Sequence, residues 1–251
     1  MEAHKEVVFD IGANHGWETE DSKMCSYHSK RPWVENYKVV CVEPTPSLCD
    51  ELRKKFKDND VEIVQAAISD SEQENIEFYV STSDTISTCS IATVKNKNYR
   101  HHHLYSQVEK IIVPTTRIDN LVKEYGVPSF IKIDVEGYEL NTLNTFERNY
   151  CPISFEWCEE EPNNLKKCID KANELGYTKF WLTFGNIGIC EEPRNFIEKM
   201  LGCSYWSTQL RWMKEKGVLT HASLTHEKIK EYIDNKCSVE RKILWGQIYV
   251  E

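Results

Sequence analysis

The sequence predicts an α/β fold built on a mostly parallel sheet. Short β-branched runs alternate with stretches of helical periodicity through the first half of the chain, which is the pattern of repeated βαβ units. The first run, VVFDI, ends in a polar turn carrying Gly12 and Gly16. Doubly wound folds bring backbone N–H groups to a nucleotide at that place. Two later runs, KVVCVE and FIKID, end in acidic residues at the sheet edge outside which open α/β sheets bind their ligands.

Taken in order, Val7 to Ile11 is the first expected strand and Lys38 to Glu43 the second. Pro46 to Phe56 follows as a helix, with Leu48, Leu52 and Phe56 on one face. Val61 to Ala67 is the third strand, closed by a Ser69-Asp70-Ser71 turn, and Ile76 to Val80 alternates like a half-exposed, antiparallel addition. Residues 81–110 are rich in Ser, Thr and Asn and lack periodicity, so they are expected to form a long loop or lid. After a short strand at Ile111 to Val113, a helix capped by Thr116 runs to Tyr125. Phe130 to Asp134 is the next buried strand, Leu140 to Phe146 a helix and Ile153 to Glu156 a strand. A helix beginning at Pro162 buries Leu165, Cys168, Ile169, Ala172 and Leu175 and stops at Gly176. Tyr177 to Thr183 returns as a strand. Residues 184–242 read as a mostly helical, aromatic insertion before a last strand at Leu244 to Val250. The expectation is one domain over residues 1–251, with 184–242 serving as a substrate wall.

Composition narrows the function. At 251 residues, 40% hydrophobic and 28% charged, the chain has material for a core and is not disordered. Its formal net charge of −9 disfavours nucleic acid or anionic lipid as a partner. Ten cysteines are present, but the start MEAHKEVVFDIGAN lacks the features of a signal peptide, so reduced thiols and a cytoplasmic location are expected. No apolar run reaches the roughly twenty residues needed to span a bilayer.

Asp10, Gly12, Asn14 and Gly16 stand where a cofactor would meet the first turn, yet the third glycine of a dinucleotide fingerprint is absent, which weakens a nicotinamide dehydrogenase reading. Glu43 can accept hydrogen bonds from ribose hydroxyls. Asp134, Glu136 and Glu139 crowd the end of one strand, and such acids repel one another unless a cation or donor is near; Glu139 reads equally well as a helix-start residue. Glu136 and Glu156 are the candidates for a base or a substrate-positioning group. Asp134, Glu156 and Glu159 form an alternative oxygen set for magnesium, although their spacing carries no specific metal signature. His101, His102 and His103 read as a surface loop rather than a metal site, one of them being a further candidate base, and His15 as part of the cofactor turn. Trp206 and Trp212 divide between core packing and stacking on a sugar ring.

FDIGANHG, VEP after the second strand and KIDVEGYE after the fourth, with TRIDNL before it, together resemble the FkbM family of S-adenosylmethionine-dependent methyltransferases. The resemblance covers about Val7 to Trp157. It implies a Rossmann-like class I fold with helices on both faces of the sheet. In that reading Asp10, Gly12, Asn14 and Gly16 shape the methionine pocket and Glu43 holds the ribose. Ala67, Ile68 and Ser69 border the adenine with Asp70 near its amino group, and Asp134 faces the ammonium or the reaction centre. An acidic pocket suits a sulfonium cation, and no pyrophosphate-binding glycines are required. The implied activity is O-methylation of a hydroxyl, most readily on a sugar or glycan. The alternatives are a small metabolite, a lipid, an RNA ribose, or an inactive scaffold that keeps the cofactor fold.

Overall fold

The computed structural model describes residues 5–16, 19, 33–158, 160–182, 223–237 and 245–251. In chain order these form β1 (Val7–Ile11), α1 (Trp33–Asn36), β2 (Lys38–Val42), α2 (Pro46–Lys55), β3 (Val61–Val64), β4 (Ala67–Ile68) and β5 (Asn75–Val80). Then come α3 (Ile91–Lys95), β6 (Glu109–Thr116), α4 (Ile118–Tyr125), β7 (Phe130–Ile133), α5 (Glu139–Leu143), β8 (Ile153–Cys158), α6 (Pro162–Glu174), β9 (Phe180–Leu182), α7 (His226–Cys237) and β10 (Trp245–Val250).

Seven strands form one sheet in the order β3-β2-β1-β7-β8-β10-β9. β7 lies at its centre, with β1 beside it parallel to both β7 and β2, while β10 runs antiparallel to both β8 and β9. The central strands are buried on both faces, which is why they read as mostly apolar runs, interrupted only by Asp10 and Lys132. Alternation sends Phe9, Ile11, Val40, Val42, Ile131 and Ile133 to one face, where they meet α4, α6 and α7 through Leu121, Ile169 and Ile229. Val8, Val39, Cys41 and Phe130 face the other way, against Leu52 of α2 and Phe56. Helices therefore cover both faces of a parallel sheet, as expected. No helix among the described residues is long and apolar enough to cross a membrane.

Three details depart from the sequence reading. The expected third strand is two: after Val64 the chain turns, with Ala66 N–H donating to the Val64 carbonyl, and Ala67–Ile68 leaves to pair with β6 in a second sheet, β4-β6-β5. The helix from Ile118 is not capped by Thr116, which ends β6; the Ile118 N–H donates instead to Oγ1 of Thr145 at 3.1 Å. Residues 81–110 are not a plain loop. They hold two 3₁₀ turns and α3, which Ser90 caps by accepting from the Thr93 N–H, and they close on a small core of Ile86, Tyr99 and Tyr105. Of the expected insertion, residues 184–222 and 238–242 lie outside the described residues, and with them Trp206 and Trp212.

Candidate functional site

A cavity of about 310 Å³ opens at the carboxyl ends of β1, β2, β7 and β8. Its first wall is the turn after β1. Gly12 has φ +74°, and a Cβ there would fall 1.8 Å from the Asp134 carbonyl oxygen, so only glycine lets the turns after β1 and β7 pass so closely. Asn14, also left-handed at φ 47°, donates its N–H to Oε2 of Glu43 at 3.0 Å. Oε1 of the same carboxylate accepts the Thr45 N–H at 2.8 Å, so Glu43 ties the turn after β1 to the start of α2 while lining the cavity. Burial raises the Glu43 carboxyl above its ordinary range, and these hydrogen bonds oppose the rise.

A second, apolar wall comes from Ala66, Ala67, Ile68 and Phe78, and the rim from Asp84, Thr85, Ile86 and Ser87. The floor is acidic. Asp134, Glu136 and Glu156 each bring a carboxyl oxygen within 4.8 Å of the others, a spacing that one cation could bridge. Burial, with Asp134 and Glu139 as charged neighbours, pushes the Glu136 carboxyl up to about 8. Glu156 is raised well above its usual range by burial and by Glu136. Glu136 sits at φ 54°, a conformation that bulky residues rarely adopt. Glu139 braces this loop, its Oε1 accepting the N–H groups of Val135 and Gly137. Burial holds its carboxyl up at about 7.

Of the residues singled out from the sequence, Gly12, Asn14, Glu43, Ala67, Ile68, Asp134, Glu136 and Glu156 line this one cavity, and His101 joins them. Asp10, Gly16, Ser69 and Asp70 stand behind its walls. Asp10 is fully buried, with Oδ2 accepting from Thr19 Oγ1 and Oδ1 lying 3.3 Å from Lys132 Nζ. Gly16 packs against Leu52 and Phe56. The Ser69 hydroxyl lies 3.2 Å from that of Tyr138, which does line the cavity. Both Asp70 oxygens accept side-chain amides, one from Asn141 and one from Asn144, and the carboxylate is not part of the cavity lining. Of the magnesium set, Glu159 lies outside the described residues, and Glu136 is the third member of the cluster found.

Two residues missed in the sequence matter here. Lys132, in the middle of FIKID, is a buried ammonium that donates to the Gly12 carbonyl at 2.9 Å and lies 3.7 Å from Asp134. A lysine inside an otherwise apolar buried run was its available signal. Tyr99 lines the cavity and donates its hydroxyl to Oε2 of Glu136 at 3.1 Å. Next to it, Arg100 forms a buried ion pair with Glu160 at 2.8 Å.

The strand order, the reversed strand β10 in the main sheet and a cavity at the carboxyl edge define a class I methyltransferase fold. Residues 10–182 match the Methyltransferase FkbM domain, well over half of the sequence, and the chain belongs to this family of S-adenosylmethionine-dependent methyltransferases. No curated protein matches it. Similar solved structures include a methyltransferase FkbM from Methylobacillus flagellatus KT, with 12% identity, TM-score 0.42 and coverage of 69% of this chain and 38% of that one. The precorrin-6y C5,15-methyltransferase from Geobacter metallireducens GS-15 shares 12% identity at TM-score 0.37, over 74% of this chain and 72% of its own. The cyclopropane synthase MmaA2 from Mycobacterium tuberculosis shares 8% at TM-score 0.33, over 98% and 82%.

The cavity fits the family's cofactor. Its walls combine a backbone-rich polar turn, a carboxylate at the end of β2 and an apolar flank, the three chemistries that an amino acid, a ribose and an adenine require.

Proposed function

We propose that the protein transfers a methyl group to a hydroxyl, on a sugar or glycan, with Glu136 as the general base. The observation that carries this reading is the placing of Glu136 and Glu156 within 4.8 Å of each other at the cavity floor, where burial and neighbouring acids push Glu136 up to about 8. An ordinary carboxylate is a feeble base toward an alcohol, and one raised toward neutrality is better matched to the task. When bound, S-adenosylmethionine supplies an electrophilic methyl group. The chain's own residues do the rest. Glu43, Asn14 and Gly12 present the polar surface for ribose and methionine, and Ala67, Ile68 and Phe78 the apolar surface for adenine. Glu136 takes the hydroxyl proton, with Glu156 beside it to position the acceptor. Asp134 supplies negative charge toward the sulfonium.

A polyol is favoured as acceptor because the rim offers Asp84, Thr85, Ser87 and His101 as hydrogen-bonding groups, with residues 81–110 acting as the lid. A reducing, cytoplasmic setting is part of the reading. Among the described residues Cys41, Cys49, Cys89, Cys151, Cys158 and Cys168 are free thiols. The test is methyl transfer from labelled S-adenosylmethionine to a panel of methyl glycosides and nucleotide sugars, with small amines and catechols as controls. Label in the glycosides supports the reading. Label confined to amines, or turnover unchanged in Glu136→Gln, overturns it.

A further inference from the structure

We propose that Tyr99 is a positioning residue for methyl transfer, holding the Glu136 carboxylate in its working orientation from the 81–110 segment. This rests on the reading of Glu136 as the base. The Tyr99 hydroxyl donates to Oε2 of Glu136 at 3.1 Å across 37 positions of sequence, so the bond joins two separate parts of the cavity wall. Glu136 needs such an anchor. Its backbone is left-handed at φ 54°, a conformation that costs a non-glycine residue on the order of 1–3 kcal/mol, and its long side chain loses rotamer freedom when fixed.

Tyr99 is itself held firmly. Its ring stacks on Tyr105 with centroids 6.0 Å apart and an interplanar angle of 29°, and the Tyr105 hydroxyl donates to the Ile86 carbonyl at 2.6 Å. The Arg100 guanidinium lies 5.5 Å from the centroid of the Tyr99 ring and is fixed by Glu160. Ile86 lines the same cavity, so one scaffold builds the rim and aims the base. Seating of residues 81–110 and readiness of Glu136 are therefore coupled through a single hydroxyl.

Tyr99→Phe keeps the ring and its stack and removes only the donor. The experiment compares wild type, Tyr99→Phe, Glu136→Gln and the double variant. It measures affinity for S-adenosylhomocysteine by calorimetry and kcat on the methyl glycoside that gives the fastest transfer. Tyr99→Phe is expected to leave the affinity within about twofold and to lower kcat by about tenfold. In the Glu136→Gln background it should add nothing, because a residue acting through another has no effect once its target is gone. A slow Glu136→Gln on which Tyr99→Phe multiplies a further loss overturns the role of Tyr99 and leaves the base standing. A Glu136→Gln with wild-type kcat removes the base reading, and the Tyr99 role with it. Should no glycoside be methylated, hydrogen exchange of the 81–110 amides is compared in Tyr99→Phe, Glu136→Ala and their double. Equal, non-additive loosening supports the coupling, and an unchanged segment in Glu136→Ala overturns it.

Discussion

His15, on the turn after β1, places Nε2 3.0 Å from Oδ2 of Asp84 on the cavity rim, while its Nδ1 lies 3.3 Å from Oε2 of Glu51 on α2. The imidazole thus bridges the cofactor turn, a helix and the 81–110 segment. Both contacts are partly exposed, and exposed ion pairs contribute little. His15→Ala is accordingly expected to weaken S-adenosylhomocysteine binding by only about two- to fivefold, roughly 0.5–1 kcal/mol, by loosening the rim. Calorimetry at low and high salt checks this. A Kd equal to wild type at both would show that the bridge has no part in closing the cavity.

Glu43 has two tasks that substitution separates. Its carboxylate accepts the N–H groups of Asn14 and Thr45, so Glu43→Ala leaves two backbone donors short of their partner and is expected to destabilise the fold by about 1–3 kcal/mol as well as weaken the cofactor. Glu43→Gln keeps one acceptor oxygen and offers an amide in place of the other. It should cost less stability while still lowering cofactor affinity by about tenfold, the loss of one charge-assisted bond. Urea unfolding alongside calorimetry reads the two effects separately; unchanged affinity in both variants would remove Glu43 from the ribose role.

The central sheet was legible because β1, β2 and β7 are buried on both faces and so appear in sequence as short, mostly apolar runs rich in Val and Ile. The acids at the ends of those strands were legible for the same reason: a charge that closes an apolar run stands at the sheet edge. The 81–110 segment was not. It is held by three spaced apolar anchors, Ile86, Tyr99 and Tyr105, and by bonds such as Tyr105 to the Ile86 carbonyl, none of which leaves a period in the sequence. The split between β3 and β4 was hidden as well, since the turn at Ala66 carries no glycine or proline to mark it. Asp10 and Asp70 looked like cavity residues by position. Their partners, Thr19, Asn141 and Asn144, come from elsewhere in the chain, and only the assembled fold brings them to these carboxylates.

Lys132 is the buried cation among these acids. Its ammonium lies 3.3 Å from Asp10, 3.7 Å from Asp134 and 2.9 Å from the Gly12 carbonyl. Lys132→Met keeps the length of the side chain and removes the charge, leaving the fully buried Asp10 without its countercharge. Breaking one side of a buried pair costs about 3–5 kcal/mol, so this variant should unfold at markedly lower urea concentration. Asp10→Asn combined with Lys132→Met should recover part of the loss. If the single variant is as stable as wild type, the ammonium is not what compensates Asp10.

The elevated Glu136 carboxyl makes a prediction about pH with a definite sign. Burial and the neighbouring acids Asp134 and Glu139 raise it to about 8 from an ordinary glutamate value near 4.5. The folded state therefore holds a proton that the unfolded chain releases between those values. The contribution to stability is fully present below about pH 4.5 and is lost as pH rises through about 8. Catalysis runs the opposite way, because only the deprotonated carboxylate accepts the hydroxyl proton, so kcat should climb as pH passes through about 8. Glu136→Gln is expected to flatten the stability profile over this window and to remove the rise in kcat. Urea midpoints and initial rates measured from pH 5 to 9 test both arms. Addition of EDTA separates a carboxylate base from a shared metal: rates that survive chelation fit the base, and rates lost to EDTA and restored by magnesium would assign Asp134, Glu136 and Glu156 to a cation instead.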